Sequence, residues 1–474
     1  MKFKNYIVIA ILIVLNGILN LEELNLVVTI PEIIVVLFFL IKKNTKDALF
    51  WHTIFFVTSY SNIFSEIFLL DNSITSHISY NYAILNLSGI KPSFIISLLI
   101  ILIQSQNKKI SDTAKGTVFY KLFKFFLYCL YTGFILGIIG LLFMGYSFVD
   151  FVGYGYYILF CFCFALSFLY EYDTPLKDNL YDLVPFIIAV AVVFDFICQI
   201  LGLTDSLIVI GSTGIGVYCF VLIPSLLYKK KTLPIIIIIG LQIFLMSVDT
   251  SGKQIYSLIL MSAATIILSF SKNVRQTIGR GNLAKVRSLF IIVLFSYPVL
   301  QQTILSRAED NASNLQWKME SVESMTYFFA GKNDLGDVYR SPYIRLAEIS
   351  NIVYEDIHNP IYLLFGRGFG GYYRDELNMF TGLDLAHGAF SDENIRTGKF
   401  SYGHDTFVTV PMLNGFIGFY ILLSLIILMC KKSRESYLYL TSLMFPLMWF
   451  YFNVLLGVIG VMLLYAAEHK VQKV

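Results

Sequence analysis

Apolar runs of about 20 residues, each long enough to cross a bilayer, fill the chain up to Leu305 and resume at Thr406. They lie at 6–21, 25–41, 49–70, 82–103, 119–143, 149–170, 182–202, 207–228, 233–249, 254–270, 288–305, 406–430, 436–451 and 453–467. The first two and last two are short, so the pattern predicts about 12–14 transmembrane helices. The runs are continuous rather than alternating, which excludes a β-barrel. One polar stretch, 306–405, interrupts them. At about 100 residues it is far too long for a tight connection. The expected fold class is an all-α polytopic membrane protein with one large loop containing short helices. Three parts follow: a transmembrane bundle over 1–305, the loop over 306–405, and C-terminal helices with a tail over 406–474.

Charge adds direction to this layout. Only 14% of the 474 residues are charged and 57% are hydrophobic, against about 25% charged in a soluble domain. Basic connections occur at Lys42/Lys43/Lys46, Lys108/Lys109/Lys115/Lys121, Lys229-Lys230-Lys231, Lys272/Arg275/Arg280/Lys285/Arg287 and Lys431/Lys432/Arg434. All five fall on one side of the membrane in this count, and the positive-inside rule makes that side cytoplasmic. The connections at Glu22-Glu23, Asp71, Asp150 and Asp205 are poor in Lys and Arg; the one near Glu171 to Asp182, with one Lys, adds no support. Both termini are then cytoplasmic and 306–405 extracytoplasmic. Lys2 and Lys4 precede the first run without a small-residue cleavage site, so it reads as a retained anchor. A net charge of +3 implies no general affinity for nucleic acid.

The six cysteines all lie in apolar runs without a CxxC pair, which suits packing residues. No phosphate-loop motif and no acidic cluster with metal-ligand spacing is present, so no cofactor or metal is expected. Glu32, Glu66, Asp195 and Asp249 lie in the outer halves of their spans, where a polar cavity or helix-pair hydrogen bonds would explain them. His52 lies near a cytoplasmic end and carries no assigned role.

Inside the loop, 321–330 and 342–358 read as helices. In the second, Ile344, Ala347, Ile349, Ile352 and Val353 form an apolar stripe, and Asn359-Pro360 ends it. Gly366, Gly368, Gly370 and Gly371 then suit close approach of the backbone to a ligand, and a glycine-rich turn with no ligand fits the pattern equally well. Arg340, Arg345, Arg367, Arg374, Arg396 and Lys399 give a cation set suited to phosphate or diphosphate, though a solvated mixed-charge loop is the plainer reading. His387 and His404 lie in the same polar stretch, and His387 belongs to no motif.

The most specific signal is Gly403-His404-Asp405-Thr406-Phe407 at the mouth of a span, with Gly415 and Gly418 inside it. With Arg345, Asn359-Pro360 and Gly366-Arg367-Gly368 upstream, this ordered set resembles the superfamily of O-antigen ligases and Wzy-type polysaccharide polymerases. Asp405 stands where that family often has Asn or Ser. Thr250-Ser251-Gly252-Lys253-Gln254 is the nearest match to its Ser-Arg-Gly element, so Lys253 stands for the arginine.

The resemblance implies a GT-C-like membrane glycosyltransferase of the bacterial cytoplasmic membrane. It would move undecaprenyl-diphosphate-linked repeat units onto a sugar hydroxyl, inverting and without metal. His404 would be base or acceptor-positioning group, and Arg345 would meet the charge on the departing diphosphate. Arg340, Arg367 and Lys253 would add diphosphate contacts, and Gly366, Gly368 and Gly370 would form a substrate-approach loop. The implied partners are the lipid-linked oligosaccharide, a chain-length regulator and a flippase. A ligase of the same superfamily and a polysaccharide flippase or transporter are the alternatives. The charge pattern makes a direct prediction: alkaline phosphatase fused within 306–405 is active, and fused after Lys230 it is inactive.

Overall fold

The computed structural model describes residues 3–21, 26–58, 91–173, 340–380, 392–401, 406–434 and 454–472, with isolated positions elsewhere, including Tyr82, Leu85, Phe390, Gly403 and Tyr439. The described chain is helical; its one β feature is an antiparallel bridge between Tyr373 and Phe400. The helices are α1 (Phe3–Leu21), α2 (Leu26–Ile41), α3 (Thr45–Thr58), α4 (Pro92–Asn107), α5 (Asp112–Lys115), α6 (Val118–Phe143) and α7 (Phe148–Tyr170). There follow α8 (Arg340–Ile357), α9 (Pro360–Phe365), α10 (Asp392–Thr397), α11 (Thr406–Ser433) and α12 (Val454–Gln472). Among the described residues, α6, α7 and α11 are long and apolar enough to cross a membrane; shorter apolar stretches lie in α1, α2, α4 and α12.

Local chemistry sets the boundaries. The side chains of Thr117 and Ser147 accept from the N–H groups of Tyr120 and Asp150, at 3.1 and 3.3 Å, which starts α6 and α7 within one residue of the expected spans. The expected span at 82–103 needs correction: its helix begins ten residues later, at Pro92. Lys91 is extended (φ −93°, ψ 117°), because proline disfavours a helical residue before it and suits the first helical position. The runs at 207–228 and 233–249, most of 182–202, 254–270, 288–305 and 436–451, and the second half of 49–70 lie outside the described residues. So do the helix at 321–330 and His387.

Within the bundle, α7 packs on α4, α6 and α12, α3 packs on α2 and α4, and α6 packs on α11. His52 is fully buried and satisfied. Its ring nitrogens face Tyr82 Oη at 2.7 Å and Ser97 Oγ at 2.8 Å, and its ring stacks on Phe164. Buried Glu32 accepts from Asn16 Nδ2 at 3.4 Å, a hydrogen bond between α1 and α2.

One end of the bundle is tied by two glutamates. Glu171 accepts from Lys108 Nζ at 2.5 Å, Gln104 Nε2 at 3.0 Å and Thr45 Oγ1 at 3.0 Å. Glu468 accepts from the N–H groups of Val118 and Phe119 at 2.7 and 3.3 Å and from the Tyr172 hydroxyl at 3.3 Å. The start of α3, the end of α4, the start of α6, the end of α7 and the end of α12 therefore meet. These are the ends that the charge pattern groups on one side, and the Glu171 connection is among them although it carries only one Lys. Replacing Glu171 with Ala removes three acceptor contacts at once and leaves Gln104 buried without this partner. The expected loss is on the order of 2–4 kcal/mol, read as a lower thermal midpoint of the detergent-solubilised protein; an unchanged midpoint would show that the knot is not structural.

Candidate functional site

The described part of the polar segment has its own small core. The rings of Tyr373, Phe380, Phe390 and Phe400 pack with centroids 4.6–6.4 Å apart. Tyr373 and Phe400 exchange backbone hydrogen bonds of 3.0 and 2.9 Å. The irregular chain after Gly371 has few backbone partners, so side chains satisfy its N–H groups. Asp375 accepts from the amides of Met379 and Phe380, Asn351 from Leu377, and Glu355 from Arg374. Glu348 accepts from the Tyr373 hydroxyl at 3.1 Å.

This use of α8 changes its expected face. Ile344, Ala347 and Ile352 are buried as expected, but Ile349 and Val353 are exposed, while Glu348, Asn351 and Asp356 are buried beside the apolar residues. The helix turns polar groups inward because the neighbouring loop backbone needs acceptors. Asn359 does more than end α8: its side chain accepts from Ile361 and Tyr362 and caps α9, with Pro360 in the first turn.

The glycine-rich turn after α9 lies against the bundle. Gly366, Gly368 and Gly370 have φ of 79°, 78° and 77°, a region that side chains avoid. All three are buried. The N–H groups of Arg367 and Gly368 donate to the carbonyls of Met412 and Leu413 on α11, at 2.9 and 3.0 Å. These carbonyls are open because Gly415 (φ 66°) breaks α11 within the next turn. On the other side, the Phe369 N–H donates to the Gly133 carbonyl of α6 at 2.9 Å. The Phe369 ring fills the space left by Gly133, its carbonyl and the Phe151 ring fill that left by Gly137, and a Cβ at Gly366, Gly368 or Gly415 would collide with backbone. Asn414 completes the joint, donating to the Cys129 carbonyl and to Thr132 Oγ1 at 3.2 and 2.9 Å. Gly366 thus packs on α11, Gly368 on α6 and Gly370 on the start of α7, at the positions where the sequence suggested a substrate approach.

Arg367 is also placed differently from its expected diphosphate role. Its side chain is 2% exposed. Its Nη1 donates to Glu355 Oε2 and to the Tyr372 carbonyl, both at 2.5 Å, and its Nη2 to Asp356 Oδ1 at 2.7 Å. Burial works against the guanidinium charge, but Asp356 and Glu355 override it and raise its pKa further. Burial holds the Asp356 carboxyl above its ordinary value, against the pull of Arg367. The residue is an internal clamp between the glycine-rich turn and the end of α8. Arg345 lies ten residues before Glu355 on the same helix, about 15 Å along its axis, so the structure does not bring Arg345 and Arg367 into one cluster. Arg345 is half-buried and already in contact within the chain. Arg340 opens α8, and its side chain, like all of Lys253 and His404, lies outside the described residues. Gly403 is described: its carbonyl accepts from Thr409 Oγ1 at 3.1 Å, which fixes the approach to α11.

The cations that gather at the surface are Arg374 and Lys399. They flank the ring of Tyr372, with 5.9 Å to the Arg374 guanidinium carbon and 4.7 Å to Lys399 Nζ. Tyr372 meets the ring of Tyr146 edge-on at 5.6 Å, beside the end of α6. Arg396 is exposed and 3.8 Å from Glu393. Sequence reading passed over Glu355, Asp356, Asn414, Gly133 and Gly137. Two signals were available: adjacent acids a short way before Arg367, and glycines four apart in an otherwise bulky span.

A scan against protein-family models finds no match for this chain, and a search of curated proteins finds none either.

The clamp gives a pH-dependent prediction. A carboxyl whose pKa is raised by folding stabilises the fold fully below its unfolded value, and that contribution is lost as pH rises through the folded value. In Arg367→Gln the cation is gone and Asp356 rises further. Unpairing buried carboxylates costs about 3–5 kcal/mol, so the thermal midpoint should fall strongly near neutral pH and recover partly in mild acid. Equal losses at both pH values would assign the damage to packing rather than charge.

Proposed function

We propose that this chain is a membrane glycosyltransferase that polymerises surface polysaccharide, such as O-antigen or capsule. It takes repeat units from undecaprenyl diphosphate at the outer face of the cytoplasmic membrane. The observation that carries this reading is a folded, cation-bearing segment joined by backbone hydrogen bonds to α6 and α11, leading directly into His404 before α11. A rigid platform at the end of the spans, opposite the glutamate knot, suits a donor whose sugar stands in water and whose tail stays in lipid. It also suits transfer without a nucleotide, because the diphosphate link already carries the free energy.

In the proposed step the acceptor hydroxyl oxygen attacks the anomeric carbon of the donor sugar. The anomeric carbon–oxygen bond to the diphosphate breaks with inversion. The hydroxyl proton passes to His404, acting as general base, and the leaving lipid diphosphate takes the electron pair. Arg345 remains the first candidate for the diphosphate charge, with Arg340 at the head of the same helix. Arg367 is assigned to the fold, and Arg374 and Lys399 take its place as surface cations. Tyr372 between them offers a ring face for a sugar. Lys253 stays a candidate through the resemblance alone. The lipid-linked oligosaccharide, a chain-length regulator and a flippase are the proposed partners.

The test is a gel of surface polysaccharide from a strain lacking the gene, complemented with wild type, His404→Ala or Arg345→Ala. Collapse of the ladder to single repeats, rescued only by wild type, is the expected result. Loss of a general base costs about 10²–10⁴-fold in rate, enough to remove long chains while the protein inserts at normal level. Complete absence of attached polysaccharide would point to a ligase or a flippase instead. An unchanged ladder would refute the polymerase reading for that polymer.

A further inference from the structure

The glycine-rich turn sits well below the ends of the helices that hold it. Gly133 lies ten residues before the end of α6, and Gly415 nine residues after the start of α11. At 1.5 Å per residue both are about 13–15 Å along their helices from the loop-side ends. The turn is packed against both glycines, with Leu364 against Gly415 and Phe369 against Gly133. Residues 364–369 therefore reach into the depth of the apolar spans, and Gly370 returns to the loop-side end of α7 at Ser147. Irregular backbone survives at such depth only where its polar groups are satisfied inside the protein. Here the N–H groups of Gly366, Arg367, Gly368, Phe369 and Gly371 all donate to backbone carbonyls.

The outer surface of the same element is apolar. Ile357 is 61% exposed, Ile361 57%, Leu364 43% and Phe365 41%. This face continues the lipid-type surface of the spans: Leu142, Phe143 and Met144 at the end of α6, and Phe416 on α11, are exposed beside it. The Tyr362 hydroxyl reaches Met144 Sδ at 2.7 Å, which joins the two surfaces directly. The polar groups of the element point the other way, with Arg367 and Asp356 buried in the clamp.

We propose that α9 and the glycine-rich turn form a re-entrant element seated in the loop-side leaflet, and that Ile357, Ile361, Leu364 and Phe365 contact lipid acyl chains. The contact is with bulk lipid, and it stands whether or not the chain transfers sugars. It makes the polar segment a part of the membrane domain rather than a cap above it.

The test places a dansyl-bearing amino acid at Ile361 or at Leu364 by amber suppression, with exposed Asn378 as the aqueous control. The full-length protein is reconstituted in phosphatidylcholine vesicles, with and without bromine on the acyl chains. Variants that elute as monodisperse protein are compared. At 361 and 364 the emission should be blue-shifted and quenched by brominated lipid, as for a face buried among acyl chains. At 378 it should be neither shifted nor quenched. Red emission without quenching at 361 and 364 would put the face in water. Blue emission without quenching would put protein over it. Either result overturns the proposal.

Discussion

The break in α11 at Gly415 is the constraint on which the rest of the described structure depends. A continuous helix would use the carbonyls of Met412 and Leu413 for its own next turn. The left-handed φ at Gly415 frees them, and the amides of Arg367 and Gly368 take them. Low-dielectric surroundings make an unpaired backbone group costly, so the break and the inserted turn each require the other. Gly133 and Gly137 on α6 complete the socket by leaving room for Phe369. The polar segment is thereby attached by main-chain bonds to two helices that are far apart in sequence.

Charge is distributed to serve that attachment. Glu355 and Asp356 draw Arg367 inward and hold the turn to the end of α8. At the opposite end of the bundle, Glu171 and Glu468 gather helix ends with hydrogen bonds to side chains and open amides. Buried charge is costly, and each of these groups is kept by several partners rather than one. Exposed Arg374 and half-buried Lys399 lie instead over the ring of Tyr372.

Part of the described bundle was legible because it follows from local rules. The starts of α6 and α7 were readable from apolar length, and Thr117 and Ser147 explain them. Helix α8 was readable from its period, but its buried face was not. Glu348, Asn351 and Asp356 look solvent-facing until the backbone of residues 372–380 is placed beside them. The start of α4 was misjudged because apolar content before Pro92 outweighed the backbone restriction that proline imposes. His52 looked like a residue near a span end and is instead a satisfied core group between Tyr82 and Ser97.

For the candidate site, the sequence by itself determined the inventory: an arginine-bearing helix, a glycine-rich turn, and His404 before a span with glycines inside it. Those features depend on residue types and short spacings, which a single chain displays directly. Only the tertiary structure decided what the glycines and Arg367 do. Both patterns fit a ligand as well as a packed neighbour, because a glycine admits any close surface and a guanidinium binds any pair of carboxylates or phosphates. The choice fell to packing, since the partners that claimed them, Gly133, Glu355, Asp356, Met412 and Leu413, come from three separate helices that meet only in the folded chain.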